Sequence, residues 1–376
     1  MINWNGLIVL LALFYAVFLF RESWQAKKDR KKIKHIVHVN GTRGKSTVTR
    51  LIDAGLRAGG FQTVCKSTGT LPFLFHTDGT EEELHRRGPA NIREQLELLH
   101  LAAKEKADVL VIECMALDPE LQWTCQHKML KADIGVITNA RIDHTDVMGN
   151  TREEILDCMM NMLPEDGSVF TAEKDLFSRI ARKAEMIGSQ AELALAEDVS
   201  DIGDSIDFPE NVALALKICE HLGVERTKAL DGMKKFVRDP YAMKIFHKGN
   251  FTFVNAMATN DVTSAKIVYK KSAEKYDGKL VILINNREDR PARALEMVRL
   301  CKELKPAEIV LLGDQQGALR GCCRRELSDV PVRNCKSAEE VPFQWEYPVL
   351  MLAVGNIKNE GIRLFDRAER ELEGDI

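Results

Sequence analysis

The stretch "HIVHVNGTRGKSTVTRLIDAGLRAGG" (35–60) constrains this chain more than any other part of it. Its first residues are β-branched and apolar and run into glycine at 41 and 44. The residues from 46 carry apolar side chains at helical spacing and stop at Gly59-Gly60. Strand, glycine loop and helix in that order open a parallel α/β sheet. The loop nearly fits the G-x-x-x-x-G-K-[ST] phosphate loop, whose backbone amides, lysine and helix N-terminus surround phosphate oxygens. Gly44-Lys45-Ser46 supplies the end of that pattern, but Val39 stands where its first glycine belongs. Gly41 keeps a flexible turn, so a phosphate site with Lys45 over a nucleotide is expected. The plainer reading is a glycine turn with a solvated lysine.

The rest of the chain repeats the alternation. "QTVCKST" (62–68), "DVLVIECM" (108–115), "DIGVITNA" (133–140) and "SVFTAEKD" (168–175) read as strands. Two of these are continuous apolar runs, as buried parallel strands are. "GPANIREQLELLHLAAKEKA" (88–107) contains a helix, and "TREEILDCMMNMLPEDG" (151–167) opens one with Thr151 and Glu154 in capping-box spacing. The pattern pauses at "FVRDPYAMKIF" (236–246). A second α/β series follows, with strand, loop, helix and strand over 279–314 and a late strand at 348–357. The expected fold is therefore a P-loop-type, mostly parallel sheet domain over 35–240 and a smaller Rossmann-like α/β domain over 241–376, and the 376-residue length suits two cores.

Residues 1–34 differ in character. "LIVLLALFYAVFLF" (7–20) is apolar throughout apart from the Tyr15 hydroxyl, and with its flanks it reaches the roughly 17 residues at the short end for a spanning helix. Arg21, Lys27, Lys28, Arg30, Lys31, Lys32 and Lys34 follow it and no Lys or Arg precedes it. A signal peptide carries its charge in the opposite order. The positive-inside rule therefore predicts a single-pass transmembrane anchor with the N-terminus outside and the catalytic part in the cytoplasm. A net charge of -3 gives no reason to expect nucleic acid, and the basic run reads as membrane-surface anchoring. Nine cysteines without a C-x-x-C pair argue against a zinc knuckle or a disulfide framework.

Candidate site residues gather at predicted strand ends. Ser46, with Thr47 as the neighbouring alternative, has the hydroxyl that such loops offer to Mg²⁺. Glu113 ends the run "VLVIE", where α/β sheets bind ligands, and a carboxylate suits a hard cation. An ion-paired strand end is the alternative. "TNARIDHTD" (138–146) brings Asn139, Asp143, His144 and Asp146 to the end of another strand.

Together these segments resemble a known family. "VNGTRGKST" is similar to the G-T-x-G-K-[ST] loop of the Mur ligase superfamily, which includes folylpolyglutamate synthetase, and "TNARIDHTDVMG" to its N-x-x-x-D-H-x-D segment. A hydrophobic anchor directly before "HVNGTRGKS", with "VIECMA", "ITNARIDH" and "VNAMATND", resembles the ligase subunit of poly-γ-glutamate synthase, the PgsB/CapB family, over about residues 1–360. The resemblance implies that Gly41, Thr42, Arg43, Gly44, Lys45, Ser46 and Thr47 hold ATP phosphates and Mg²⁺. It assigns the metal to Ser46, Glu113 and His144, with Lys45, Glu113 and His144 as catalytic residues. Asn211 in "PENVALAL" is similar to the residue that contacts the base, and Arg238 and Asp261 to those that clamp ATP. Their plainer readings are a helix N-cap for Asn211 and solvated charges for the other two.

By the same resemblance the reaction is ATP-dependent amide ligation. A terminal carboxylate of poly-γ-glutamate becomes an acyl phosphate and the amine of glutamate attacks it. Small membrane subunits are the expected partners, with homo-oligomer formation left open. Two departures stand out. The UDP-substrate domain of Mur enzymes has no counterpart in the residues before the loop. No Lys lies between Thr145 and Glu165, where the superfamily often carries a carbamoylated lysine; Cys158 and Met159 are nearest. Arg287, Arg290 and Arg293 in "NNREDRPAR" are either carboxylate-binding or an exposed charged loop. Readings from other classes are a membrane-tethered P-loop kinase or ATPase, and a non-catalytic nucleotide-binding scaffold.

Overall fold

The structure, a computed structural model, describes residues 4–86, 88, 90–199, 208–258, 261–288 and 291–374. Arg290 lies outside the described residues. The chain divides into two compact units, residues 1–238 and 239–376.

The first unit is built on eight strands: β1 (His35–Asn40), β2 (Thr63–Ser67), β3 (Phe73–Phe75), β4 (Glu81–Glu83), β5 (Val109–Glu113), β6 (Ile134–Ile137), β7 (Ser168–Thr171) and β8 (Gln190–Leu193). They form one sheet in the order β4-β3-β2-β5-β1-β6-β7-β8. The strands from β2 to β8 in that order run parallel, and β3 and β4 are an antiparallel extension at one edge. Sequence reading missed this extension because its strands are short and "EEE" offers no apolar face.

Alternation explains why the inner strands are apolar without a break. On β5, Val109 and Val111 enter one core with Val48, Leu51 and Leu56, while Leu110 and Ile112 enter another with Leu98, Leu99 and Ala102. Both faces are covered by helices, so neither phase of the strand can be polar. The first core also receives Val212 and Leu216 of helix Pro209–His221 and Ala229 of helix Arg226–Met233. The Thr151–Glu154 capping box is present, with the Thr151 hydroxyl accepting from the Glu154 amide and the Glu154 carboxylate accepting from the Thr151 amide. The helix it opens, Arg152–Met159, is shorter than the sequence pattern and ends in a 3₁₀ turn at Met160–Met162.

The second unit has seven strands: β9 (Lys244–Lys248), β10 (Phe251–Asn255), β11 (Lys279–Asn286), β12 (Glu308–Gly313), β13 (Val332–Asn334), β14 (Val349–Gly355) and β15 (Glu373–Gly374). Their order is β13-β12-β11-β14-β10-β9-β15, and all run parallel except β9, which pairs antiparallel with both β10 and β15. Val281 and Leu283 face one core with Leu364 and Phe365, and Ile282 and Ile284 face the other with Met297 and Leu300.

Helix α1 (Trp4–Arg30) precedes β1. Its most apolar window has a mean hydropathy of 1.9 and none of that window is buried, so it is long and apolar enough to cross a membrane.

One buried polar group on β1 carries a pH signature. His38 is fully buried, its Nδ1 lies 3.1 Å from Gln126 Oε1, and its Nε2 has no partner. Gln126 donates its own amide to the Ala132 carbonyl, so its oxygen accepts and His38 is held neutral with the proton on Nδ1. Burial lowers the His38 pKa to about 4. The unfolded chain takes up this proton near pH 6.5 and the folded chain does not, so His38 stabilises fully above that pH and loses its contribution as pH falls toward 4. Chemical denaturation of the wild type should show a loss of about 2 kcal/mol from this group between pH 7 and pH 5, and His38→Gln should lack that increment.

Candidate functional site

Strand β1 lies between β5 and β6, with Val39 opposite both Glu113 and Val136. The C-terminal ends of three parallel strands are thus level at the point where the chain leaves Asn40. That is the crevice edge at which α/β sheets bind ligands. Asn40 is buried, and its side chain accepts from the Gly41 amide at 2.8 Å and donates to Gln122 Oε1 at 2.9 Å.

The loop from Gly41 to Gly44 requires both glycines. Gly41 has φ 138 and a Cβ there would stand 1.9 Å from Thr138 Oγ1; Gly44 has φ 80 and its Cβ would stand 2.8 Å from Asn211 Oδ1. Positive φ disfavours any L side chain at both positions, and the close neighbours exclude one. Gly44 caps helix α2 (Lys45–Ala58). Its left-handed turn aims the helix start at the strand ends, the geometry of an anion site.

The "TNARIDH" segment braces the loop from the other side. Asn139 Oδ1 accepts from the Thr42 hydroxyl at 2.8 Å and the Arg43 amide at 3.2 Å, and its Nδ2 donates to the Arg43 carbonyl at 3.0 Å. Thr138 Oγ1 donates to the same carbonyl at 2.5 Å, and the Arg141 amide donates to the Thr42 hydroxyl at 2.8 Å. Arg43 is paired with Asp143 at 2.7 Å, and both are largely buried. His144 has φ 49, with Nε2 3.5 Å from Asp143 Oδ2.

Lys45 folds back across the loop and donates to the Gly41 carbonyl at 2.6 Å. The Ser46 hydroxyl donates to Glu113 Oε2 at 2.9 Å, and the same oxygen accepts from the Thr68 amide at 2.6 Å. Glu113 is only 3 % exposed, so its contacts are hydroxyl and amide rather than the ion pair weighed from sequence. Ser46, of the two adjacent hydroxyls, is the one that faces the carboxylate. A hydroxyl and a carboxylate are hard oxygen donors that suit Mg²⁺. Among the described residues no three His, Cys, Asp or Glu side chains form a ready-made metal cluster.

The remaining sequence candidates fall as follows. Asn211 is not a helix N-cap. Phe208 holds that position and Pro209 starts the helix, which puts Asn211 a turn further in, buried against Gly44. Arg238 is exposed at the end of the first unit. Asp261 belongs to the second unit. It is 8 % exposed rather than a solvated charge, and caps helix Val262–Ala273 by accepting from the Ser264 amide at 2.8 Å. Cys158 and Met159 are buried in an apolar cluster, and burial pushes the Cys158 thiol up to about 11, so neither offers a hard ligand. Arg287 and Arg293 border a small cavity with Asn285, Asn286 and Asn356 at the ends of β11 and β14.

Sequence reading missed two supports of the site. Arg50 is buried on α2, where it donates to Ser67 Oγ at 3.0 Å and to the Val237 and Arg238 carbonyls at 3.0 and 3.1 Å. Its guanidinium lies 5.2 and 5.1 Å from the rings of Phe73 and Phe75. Lys66, fully buried on β2, donates to Glu94 at 2.8 Å, and Arg86 grips the same carboxylate with two nitrogens. Lys66 precedes Ser67 and Thr68 by one and two residues, so this pair fixes the strand end that reaches Glu113. A charged residue inside an apolar strand was the available signal.

Comparison with known proteins adds the family. Residues 39–205 match the Mur ligase middle domain, and residues 241–371 match the poly-gamma-glutamate synthase CapB C-terminal domain. The PGA synthase CapB of Bacillus subtilis is 33 % identical over 327 residues, covering 81 % of this chain and 82 % of that protein. The capsule biosynthesis protein CapB of Bacillus anthracis is 30 % identical over 344 residues, covering 87 % and 72 %. A bifunctional folylpolyglutamate synthase/dihydrofolate synthase crystallised with Mn, AMPPNP and L-glutamate superposes with a TM-score of 0.65 at 16 % identity, covering 93 % of this chain and 94 % of that one. The last likeness shows the α/β fold. With the loop, the brace and the matches over both units in view, the chain belongs to the CapB family of poly-γ-glutamate synthases, ligases of the Mur type that form amides at the expense of ATP.

Proposed function

We propose that this chain binds Mg-ATP on the Gly41–Thr47 loop, phosphorylates the terminal carboxylate of a poly-γ-glutamate chain and joins it to the amine of glutamate at the cytoplasmic face of a membrane. In this reading residues 1–34 are the anchor, 35–240 the ATP-binding domain and 241–376 the ligase domain. The observation that carries it is the Ser46 hydroxyl 2.9 Å from a buried Glu113 carboxylate, one residue beyond Lys45. The residue types fit the group. Two oxygens would hold the cation, and the nucleotide and water would complete its shell, as Mg²⁺ ordinarily retains waters.

When bound, Mg²⁺ neutralises charge on the β- and γ-phosphates. The chain's own residues position the reactants. Gly41 and Gly44 let the backbone approach the phosphates, and the Asn139 and Arg43–Asp143 contacts hold those amides before ligand arrives, so little reorganisation is needed. Lys45 exchanges the Gly41 carbonyl for a phosphate oxygen. His144, whose Nε2 lies 3.5 Å from Asp143 Oδ2, would supply an imidazole to the cation. Asn211 against Gly44 contacts the nucleotide, with Arg238 of the same unit as a further ATP contact. The carboxylate oxygen attacks the γ-phosphorus and ADP leaves. The amine nitrogen then attacks the acyl carbon, phosphate departs and the nitrogen loses a proton. The glutamate reading is supported by the synthase named in Bacillus subtilis and by the L-glutamate bound in the related crystal structure. Small membrane subunits are the proposed partners, because a polymer made at the bilayer needs a route out.

Purified full chain supplied with ATP, Mg²⁺, glutamate and a γ-linked glutamate oligomer should release ADP in a glutamate-dependent manner, and hydroxylamine should trap the activated carboxylate as a hydroxamate. ADP release that ignores glutamate and yields no hydroxamate would identify an ATPase or kinase instead. Lys45→Ala should lower glutamate-dependent ADP release by about 10³-fold, since a preorganised charge on the transferring phosphoryl group contributes several kcal/mol. Glu113→Gln should raise the Mg²⁺ concentration needed for half-maximal rate by about tenfold, and Gly44→Ala should weaken nucleotide binding by at least as much in calorimetry, through its clash with Asn211.

A further inference from the structure

The anchor and the phosphate loop are not separated by a tether. Helix α1 is continuous from Trp4 to Arg30, about 40 Å at 1.5 Å per residue, and β1 starts at His35. The exposed apolar residues Leu7–Phe20 lie within its first two-thirds. Its last turns are locked to the first unit. Asp29 is 1 % exposed and accepts from Gln25 at 2.8 Å, Lys32 at 3.1 Å and His100 at 2.9 Å. Arg30 pairs with Asp133 at 2.9 Å and donates to the Ile33 and Lys131 carbonyls at 2.8 and 3.0 Å. Ile33, between the two elements, is buried in the core that holds Leu98 and Leu110.

A second contact lies closer to the apolar run. Arg93, just before helix Glu94–Lys104, has its guanidinium 5.8 Å from the ring of Phe18 and is ion-paired with Glu22. Phe18 lies inside the apolar run, so the segment ending at Arg93 is level with the boundary of the span. Exposed cations follow from that level toward the first unit: Arg21, Lys27, Lys28 and Lys31, with Lys28 5.3 Å over the ring of exposed Trp24. Tryptophan and lysine together are the usual occupants of a membrane–water interface. Of the two carboxylates on α1, Asp29 is buried and Glu22 is paired with Arg93, so the exposed charge of this helix is positive and complements anionic lipid headgroups.

We propose that α1 is a rigid strut that seats the Ala90–Arg93 face of the first unit on an anionic bilayer surface, fixing the height and orientation of the phosphate loop. The inference rests on the anchor reading above. The partner is the lipid headgroup layer. It would place the site where a growing polyanionic product leaves at one set position relative to the membrane.

The full chain should be reconstituted in phosphatidylcholine nanodiscs with about 30 % phosphatidylglycerol, and amide exchange read over residues 90–93. A variant with an eight-residue Gly-Ser insertion between Phe20 and Arg21 is run alongside, its folding checked by ATP turnover. The expected result is about tenfold slower exchange in the parent than in the insertion variant. Equal exchange in the two, whether fast or slow, would overturn the strut. Protection that appears only when a second membrane protein is co-reconstituted would overturn the lipid assignment. If the chain is instead stripped from vesicles by carbonate, the anchor reading itself fails, which separates that failure from failure of the strut.

Discussion

Strand β1 is hydrogen-bonded on both sides by parallel neighbours, and this one constraint organises the first unit. With β5 and β6 in register beside it, Val39 is level with Glu113 and Val136, so the chain after Asn40 can only emerge between two other strand ends. The phosphate loop, the Glu113 carboxylate and the Asn139 brace meet there because the three strands end together. A shift of one residue between β1 and β5 would reverse which side chains face each core and would withdraw Glu113 from Ser46.

The polar groups around this point are costly to bury and are satisfied by one another. Glu113 receives a hydroxyl and an amide, Asn139 makes three bonds to the loop, and Lys66, Glu94 and Arg86 form a closed set behind β2. Burial lowers the pKa of Lys66 while Glu94 opposes the shift, so the ammonium depends on this carboxylate. Removing one member leaves an uncompensated charge in the interior, which is what makes such groups effective at holding a strand end in one place. The site therefore draws its rigidity from residues that never approach the substrate.

Much of the first unit was legible in the sequence, for a physical reason in each case. Buried parallel strands have no polar phase, so "VLVIE" and "IGVI" announced themselves, and Thr151 with Glu154 gave the helix start because the capping box is local. The antiparallel pair β3–β4 and the strands β9 and β15 toward one edge of the second sheet were not legible, since strands near an edge are short and held by pairing rather than by their own pattern. Asn211 looked like a cap because caps are read from neighbours in sequence. Its actual place against Gly44 depends on how helix Pro209–His221 packs on α2.

The sequence by itself determined the strand-loop-helix unit, the demand for glycine at 41 and 44, the apolar helix before β1 and the kind of chemistry a lysine and a hydroxyl at a helix start can serve. These are properties of short segments, set by backbone freedom and side-chain type. Only the tertiary structure decided that Ser46 rather than Thr47 meets Glu113, that Asn139 carries the loop, and that Asp29 and Arg30 fasten the N-terminal helix to the sheet. Each of these joins residues far apart in the chain, and such pairings exist only once the parallel register has brought the strand ends level.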